Sequence, residues 1–218
     1  MPFSAALMPA SPKKDRFSYA VLFRALSAFS VLKRMRDSYT HGHQKRVATI
    51  ACLIGAELGL PKEQIRDCLR IAGILHDVGK LRIPAAILHT AGPLREVERA
   101  VIREHPTEGH AILEKIRFPW PVARVVLQHH ERYDGSGYPH GLRKDDILLD
   151  ARILAVADVF DAMSSHMPYR PAFGLDAALS EINNARGQLY CPECAAAFGD
   201  VYRRKKRLIE KLFRMRMA

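Results

Sequence analysis

Apolar residues recur at three- and four-residue steps along most of the chain, which is the spacing of one buried face of an α-helix. Val47, Ile50, Ile54 and Leu58 form one such stripe. No segment shows the strict alternation of a β-strand, so the predicted fold class is all-α. The apolar pattern, with proline and glycine at its breaks, predicts helices over residues 17–32, 42–58, 65–75, 93–104, 107–116, 121–131, 149–165, 175–186 and 192–215.

Three regions of the chain differ in composition. Residues 1–16 hold prolines among small and charged residues, and we expect them to form a flexible N-terminal leader. Residues 17–200 carry the helical pattern and are expected to form one domain. Residues 201–218 are expected to form a basic C-terminal helix or tail, because residues 203–216 carry +7 of the formal net charge of +11.

Composition excludes several classes of protein. With 48% hydrophobic and 26% charged residues among 218, the chain is typical of a soluble globular protein. The charge excess is confined to one end, so no DNA or RNA binding is expected. Contact of that end with a membrane surface is a less favoured alternative. The chain has no long apolar run, no secretory signal and few cysteines, so a cytoplasmic location is expected.

Ionisable residues interrupt the apolar faces of several predicted helices. His43 lies four residues before Val47, and His76 lies four residues after Ala72, so both share a buried face. Asp158 interrupts an otherwise apolar segment, where an unpaired carboxylate would cost several kcal/mol. A shared cation of charge +2 or more would satisfy imidazoles and carboxylates on separate helices together.

The residue types also restrict the metal. Imidazole and carboxylate without cysteine suit Fe, Mn, Co or Zn better than Ca or Mg. Five or six imidazoles and two carboxylates fall on inward faces of separate predicted helices. Seven ligand side chains are too many for one ion with four to six ligands, so we expect two ions that share Asp77. Paired metal ions are a common device for phosphoester hydrolysis.

Two motifs resemble a known family. His76-Asp77, followed by Gly79-Lys80, resembles the HD signature of metal-dependent phosphohydrolases. The segment 129–139, which reads His-His-Glu-Arg-Tyr-Asp-Gly-Ser-Gly-Tyr-Pro, resembles the extended signature of the HD-GYP family. The segments around His43, around His105 and over residues 152–162 resemble the other ligand elements of that family in order, and the similarity covers residues 17–200.

This resemblance implies an HD-type helical bundle with an inward-facing dinuclear metal site. HD-GYP proteins are bacterial phosphodiesterases that hydrolyse cyclic di-GMP or related cyclic dinucleotides. The resemblance implies two divalent transition-metal ions, Fe or Mn, of which one is held by His43, His76, Asp77 and Asp158 and the other by Asp77, His105, His129 and His130. Asp77 and Lys80 are the expected catalytic residues, with Lys80 contacting the substrate phosphate or the attacking water.

The chain departs from the family pattern at two positions. Some members bind a third metal through a glutamate that corresponds to Tyr39, so we expect two ions and linear pGpG, rather than GMP, as the main product. Met167 stands where an arginine is expected to contact substrate, and Arg170 remains as a candidate phosphate ligand. A lost charge-assisted contact costs about 1.5–3 kcal/mol, so weaker binding or another substrate preference is expected.

The segment after the histidine pair is a candidate partner site. Gly135 and Gly137 permit positive φ, and in the family this loop contacts partners such as GGDEF-domain proteins. The loop residues are Asp134, Gly135, Gly137, Tyr138 and Pro139. A plain helix-ending turn is the alternative interpretation of this loop, and a homodimer is a further partner prediction.

Four further residues near the motifs have predicted roles outside the ligand sets. Asp161 and Glu131 are expected to orient the site without binding metal. Cys191 and Cys194 have the spacing of half a zinc site, but core or helix-start cysteines are the preferred interpretation. Two alternatives to a cyclic di-GMP phosphodiesterase stay open, namely an HD phosphohydrolase for another nucleotide and a binding module with little turnover.

Overall fold

The computed structural model describes residues 38–88, 90, 92–166 and 171–214. The predicted leader over residues 1–16 and the predicted helix over residues 17–32 lie outside this part. Met167 and Arg170 lie outside it as well, and so does the side chain of Tyr39. The predictions made for these residues stay predictions.

The described residues form a helical bundle, so the predicted all-α class is confirmed. They contain no strand, only an isolated bridge between Arg186 and Tyr190. A π-helical segment covers Ile65–Leu69, and 3₁₀ segments cover Val78–Arg82 and Lys144–Asp146. The helices are α1 Ser38–Glu57, α2 Lys62–Gln64, α3 Arg70–Leu75, α4 Ala85–Leu88, α5 Glu96–Arg103, α6 His105–Leu113, α7 Val122–Gln128, α8 Leu149–Ser164, α9 Leu175–Asn184 and α10 Pro192–Arg214.

Several predicted helix starts are wrong. The helix expected from residue 42 already includes Ser38. The helix expected from residue 93 begins at Glu96, since the backbone N–H of Arg95 donates to Glu98 Oε2 over 2.8 Å and caps the helix there. The helix expected from residue 107 begins at His105, because Pro106 occupies its first turn, where a missing N–H costs nothing. The sequence prediction places Pro106 at the end of the preceding helix, whereas in the structure Pro106 lies in the first turn of the next one.

The core lies between α1, α3, α8 and α10. Helix α8 is buried on most of its circumference, and Leu154 and Phe160 are fully buried within it. Helices α1 and α3 pack closely, since a Cβ at Gly73 would lie 2.5 Å from the Cα of Ala48. This contact brings His43, on α1, close to His76, which follows α3.

A second close contact positions the segment after His76. The 3₁₀ segment Val78–Arg82 packs on α6, and a Cβ at Gly79 would overlap the carbonyl oxygen of His105. Only glycine fits at this position, because the obstructing atoms belong to backbone. The contact holds Asp77 beside the start of α6.

The C-terminal helix extends beyond the predicted domain limit. Helix α10 is kinked at Lys205, and the boundary expected at residue 200 falls inside it. Ile209, after the kink, is fully buried. Among the described residues, no helix is both long and apolar enough to cross a membrane.

Candidate metal centre

Six imidazole and carboxylate side chains converge inside the bundle as two groups of three. Within each group, the possible ligand atoms all lie within 4.8 Å of one another. The first group combines residues from α1, the end of α3 and α8, and the second combines the start of α6 with the end of α7. The groups are His43, His76 and Asp158, and His105, His129 and His130.

The first group is compact and buried. The Nε2 atoms of His43 and His76 lie 3.1 Å apart. Asp158 Oδ1 lies 3.3 Å from Nε2 of His43 and 3.6 Å from Nε2 of His76. All three side chains therefore point their ligand atoms at one small volume.

The second group consists of imidazoles alone. The Nε2 atoms of His105 and His129 lie 3.3 Å apart. The ring of His130 lies with its centroid 4.9 Å from that of His105 and 4.1 Å from that of His129. These three rings form a second ligand set on the other side of Asp77.

Asp77 lies between the two groups and offers one oxygen to each. Its Oδ2 atom lies 3.6 Å from Nε2 of His76 and 3.8 Å from Nε2 of His43. Its Oδ1 atom lies 3.5 Å from Nε2 of His105. The Nζ atom of Lys80 donates to Oδ2 over 2.8 Å. This placement suits a carboxylate shared by two ions.

Backbone acceptors hold three of these imidazoles in one tautomer. His76 Nδ1 donates to the carbonyl of Gly73 over 2.9 Å, and His105 and His129 likewise donate to the carbonyls three residues before them, over 2.8 and 2.5 Å. His43 Nδ1 donates to Asp161 Oδ2 over 2.7 Å. With Nδ1 protonated, each neutral ring presents an unprotonated Nε2 to the centre.

This donor set fits cations. The Nε2 atoms of His43 and His76 face each other across 3.1 Å, and the unprotonated Nε2 atoms of His105 and His129 face each other across 3.3 Å. Facing lone pairs repel unless a proton or a metal ion lies beside them. Imidazole and carboxylate ligands in this number suit transition metals.

The pKa values reflect the same environment. Burial lowers the pKa of His105 to about 4, and burial also lowers the pKa values of His76, His129 and His130. These four rings are therefore neutral at pH 7, as metal ligands must be. Burial also lowers the pKa of His43, but the neighbouring Asp158 and Asp161 more than offset this and raise it to about 10.

The loop after the histidine pair folds back onto the second group. The ring of Tyr138 stacks on His130, with centroids 4.8 Å apart and planes inclined by 22°. The guanidinium of Arg103 lies 5.7 Å from the centroid of the Tyr138 ring. Glu131 is not directed at the metal groups, since its carboxylate accepts the backbone N–H groups of His140 and Leu142.

The prediction that both loop glycines are needed for positive φ is wrong at one of the two positions. Gly135 does adopt positive φ, at 83°, but Gly137 does not. Glycine is required at 137 because a Cβ there would lie 2.5 Å from both the Cα of Glu131 and the carbonyl oxygen of His130. Gly137 is thus needed for close packing of the loop against the histidine segment.

The cysteines lie apart from this centre. All four are free, and Cys191 and Cys194 are buried at the start of α10, as preferred from the sequence. Hydrogen bonding from Cys194 lowers the pKa of Cys191 to about 7. Within the described ranges, neither metal-ligand group includes a cysteine.

Comparison with known proteins agrees with this geometry. The family model described as HD domain matches residues 29–194. The chain belongs to the HD domain family. Its HD-GYP membership, predicted from the signature, is confirmed by the family model and the curated relatives. An HDG"Y"P protein from Bdellovibrio bacteriovorus superposes with a TM-score of 0.60 at 20% identity, over 75% of this chain and 52% of that one.

Two curated relatives of this HD domain are named for cyclic dinucleotides. The cyclic di-GMP phosphodiesterase response regulator RpfG of Xanthomonas campestris is 44% identical over 74% of this chain and 43% of its own length. The 3'3'-cGAMP-specific phosphodiesterase 3 of Vibrio cholerae is 39% identical over 79% of this chain and 37% of its own length. The chain thus spans less than half the length of either relative.

Proposed function

We propose that this HD domain is a metal-dependent phosphodiesterase that hydrolyses a phosphodiester bond of cyclic dinucleotides, with cyclic di-GMP as its main substrate. The observation that carries the proposal is the position of Asp77, which offers one carboxylate oxygen to each group of imidazoles. Such a shared carboxylate is what a pair of ions needs. The names of the relatives supply the substrate class.

The ligand sets follow from the two groups. His43, His76, Asp158 and Asp77 would hold one ion, and His105, His129, His130 and Asp77 would hold the other. Iron or manganese suits this mixture of imidazole and carboxylate. When bound, such ions neutralise charge on the phosphodiester and lower the pKa of water.

Lys80 is the residue proposed to contact the substrate. Its side chain is 30% exposed, whereas that of Asp77 beneath it is 3% exposed. The ammonium group therefore lies on the solvent side of Asp77, where it can donate to a phosphoryl oxygen as negative charge develops there. The buried imidazoles would hold the ions in position, and Lys80 would contribute a positive charge from the solvent side.

The product proposed is linear pGpG. The residue that would supply a third ligand set in some members is Tyr39 here, and tyrosine lacks the carboxylate of that glutamate. Opening one diester needs one attack, and release of pGpG before a second attack ends the reaction. Rapid, stoichiometric GMP would contradict this product assignment.

A second cyclic dinucleotide is the competing substrate. The similarity to a 3'3'-cGAMP-specific enzyme, together with Met167 at an expected arginine position, favours it over unrelated nucleotides. We propose that Met167→Arg tightens binding of cyclic di-GMP by about 10-fold or more, the effect of one charge-assisted hydrogen bond. A GGDEF-domain partner and a homodimer stay predictions.

The deciding experiment is a turnover assay with the intact chain. The protein is loaded with ferrous iron or with manganese under anaerobic conditions and given cyclic di-GMP, 3'3'-cGAMP, cyclic di-AMP or GMP. Chromatography should show pGpG from cyclic di-GMP, and Asp77→Asn should abolish it. Failure of both metals to support turnover of any cyclic dinucleotide would refute the proposal and leave the binding module as the better interpretation.

A further inference from the structure

Asp161 is a buried carboxylate that contacts one metal-group histidine and one arginine. Its side chain is fully buried. It accepts from His43 Nδ1 over 2.7 Å, and Arg46 donates to both of its oxygens, over 2.5 and 2.9 Å. Arg46 also donates to Ser165 Oγ over 3.0 Å.

This arrangement gives Arg46 a defined effect on His43. A planar guanidinium that donates to both carboxylate oxygens fixes the plane of the carboxylate. The fixed carboxylate then determines the direction of the His43 ring through the Nδ1 hydrogen bond. Arg46 also compensates the charge of Asp161, so that the carboxylate stays an acceptor inside the bundle.

The last turn of α10 covers the other side of Arg46. The ring of Phe213 lies with its centroid 5.0 Å from the Arg46 guanidinium carbon, as in a cation–π contact. It also packs edge-to-face on Phe160, with centroids 5.9 Å apart. Phe213 lies after the kink at Lys205 and outside residues 29–194, which the family model matches.

The second group of imidazoles is held differently. His105 and His129 donate through Nδ1 to carbonyls three residues before them, within their own stretch of chain. Within the part of the chain that the structure describes, no hydrogen bond or ring contact joins either imidazole to Arg46 or Phe213. A substitution at the end of α10 should therefore change the affinity of the ion held by His43 and leave that of the other ion unchanged.

We propose that Arg46 and Phe213 are positioning residues for the ion held by His43, and that the last turn of α10 is a structural part of the metal centre. The proposal rests on the proposed function only in requiring that the two groups bind metal ions. The region expected to be a basic C-terminal helix or tail thus supports the site through Phe213, Arg46, Asp161 and His43.

The test measures manganese affinity in two backgrounds that each retain one ligand group. His105→Ala leaves the His43 group intact, and His76→Ala leaves the His105 group intact. Titration followed by electron paramagnetic resonance reports free manganese without any turnover. In the His105→Ala background, Arg46→Lys should weaken binding by about 10- to 100-fold, and Phe213→Leu by about 10-fold, the usual effect of removing support behind a metal ligand.

Controls separate positioning from general loss of structure. Phe213→Trp keeps an aromatic face over Arg46 and should restore affinity to within about twofold. Leu208→Ala, at a residue 44% exposed on the same helix, should leave affinity unchanged. Circular dichroism identifies any variant that fails to fold. If Phe213→Leu fails to fold, the result for Arg46→Lys decides the test.

Each outcome of the titration has a meaning. Weaker binding in the His105→Ala background alone supports the proposal. Equal weakening in both backgrounds, weakening in the His76→Ala background alone, or no change in either overturns it while leaving the proposed function standing. If neither background nor the unmodified chain binds manganese or iron, both proposals fail.

Discussion

Lys80 Nζ lies 2.8 Å from Asp77 Oδ2, so that the candidate catalytic cation and the carboxylate shared between the two imidazole groups form one ion pair. The two residues are three positions apart, and the 3₁₀ turn between them directs Lys80 outward from a buried Asp77. The same carboxylate therefore faces ligands inside the bundle and a cation at its surface. Removing Lys80 should therefore have a different effect on the protein from removing Asp77.

Lys80→Met should lower kcat for cyclic di-GMP by about 10²- to 10³-fold, because one donor to the developing phosphoryl charge is lost. Metal content should stay the same, since the imidazole groups are untouched. Steady-state kinetics and elemental analysis of the same sample provide the check. The control is Lys45→Met, at an exposed position of α1, which should behave as the unmodified chain.

Single substitutions in the two groups should each remove one ion. His76→Ala disrupts the first group and His105→Ala disrupts the second, while Asp77 remains available to the intact group. Elemental analysis should give about two ions per chain for the unmodified protein and about one for each variant. Loss of both ions from either variant would show that the groups form a single site.

Gly137→Ala should destabilise the protein by at least roughly 1–3 kcal/mol, because the added Cβ meets backbone atoms of residues 130–132 that cannot move aside. Thermal unfolding measures the change, and metal analysis should show weaker retention of the ion beside His130. In the matched control, Gly199→Ala, the Cβ meets only a side-chain atom 4.0 Å away, inside α10. This control should be stabilising by up to about 1 kcal/mol.

The metal-free protein should lose stability as pH falls from about 6.5 to about 4. Burial lowers the pKa of His105 to about 4 in the folded state, whereas the unfolded chain takes up that proton near 6.5. The unfolded state thus binds more protons in this window, and the free energy of unfolding falls by roughly 3 kcal/mol through His105.

Urea unfolding with a chelator present, between pH 7 and pH 4, measures this effect. His105→Gln carries no proton at this position in either state, so its stability should fall less steeply over the same range. An identical slope for the variant and the unmodified chain would contradict the assignment to His105.

Much of the candidate site follows from helical periodicity. His43 and Val47 share a buried face because residues four apart stack on a helix, and this places the imidazole inward without any knowledge of the fold. The same reasoning explains Asp158 in α8. Imidazoles and carboxylates on inward faces then need a shared cation. The sequence alone is therefore enough to predict a metal site.

Other features depend on contacts that periodicity does not describe. Arg46 meets Asp161 across 115 residues of chain, and Tyr138 reaches His130 by the path of a loop. A signal existed for Arg46, since it follows His43 by three residues and so shares its face. The packing role of Gly137 left no such signal, because glycine is compatible with both a positive φ and a close approach.

The imidazole nitrogens of His43 and His76, which face each other across 3.1 Å, also determine how the centre is filled. Without a cation, the neighbouring carboxylates of Asp158 and Asp161 raise the pKa of His43 to about 10 and so favour a proton on this ring. An arriving ion must displace this proton, so loading is an exchange reaction and not simple uptake. Acidity and metal supply therefore act on one equilibrium, in which protonation of His43 favours the metal-free protein.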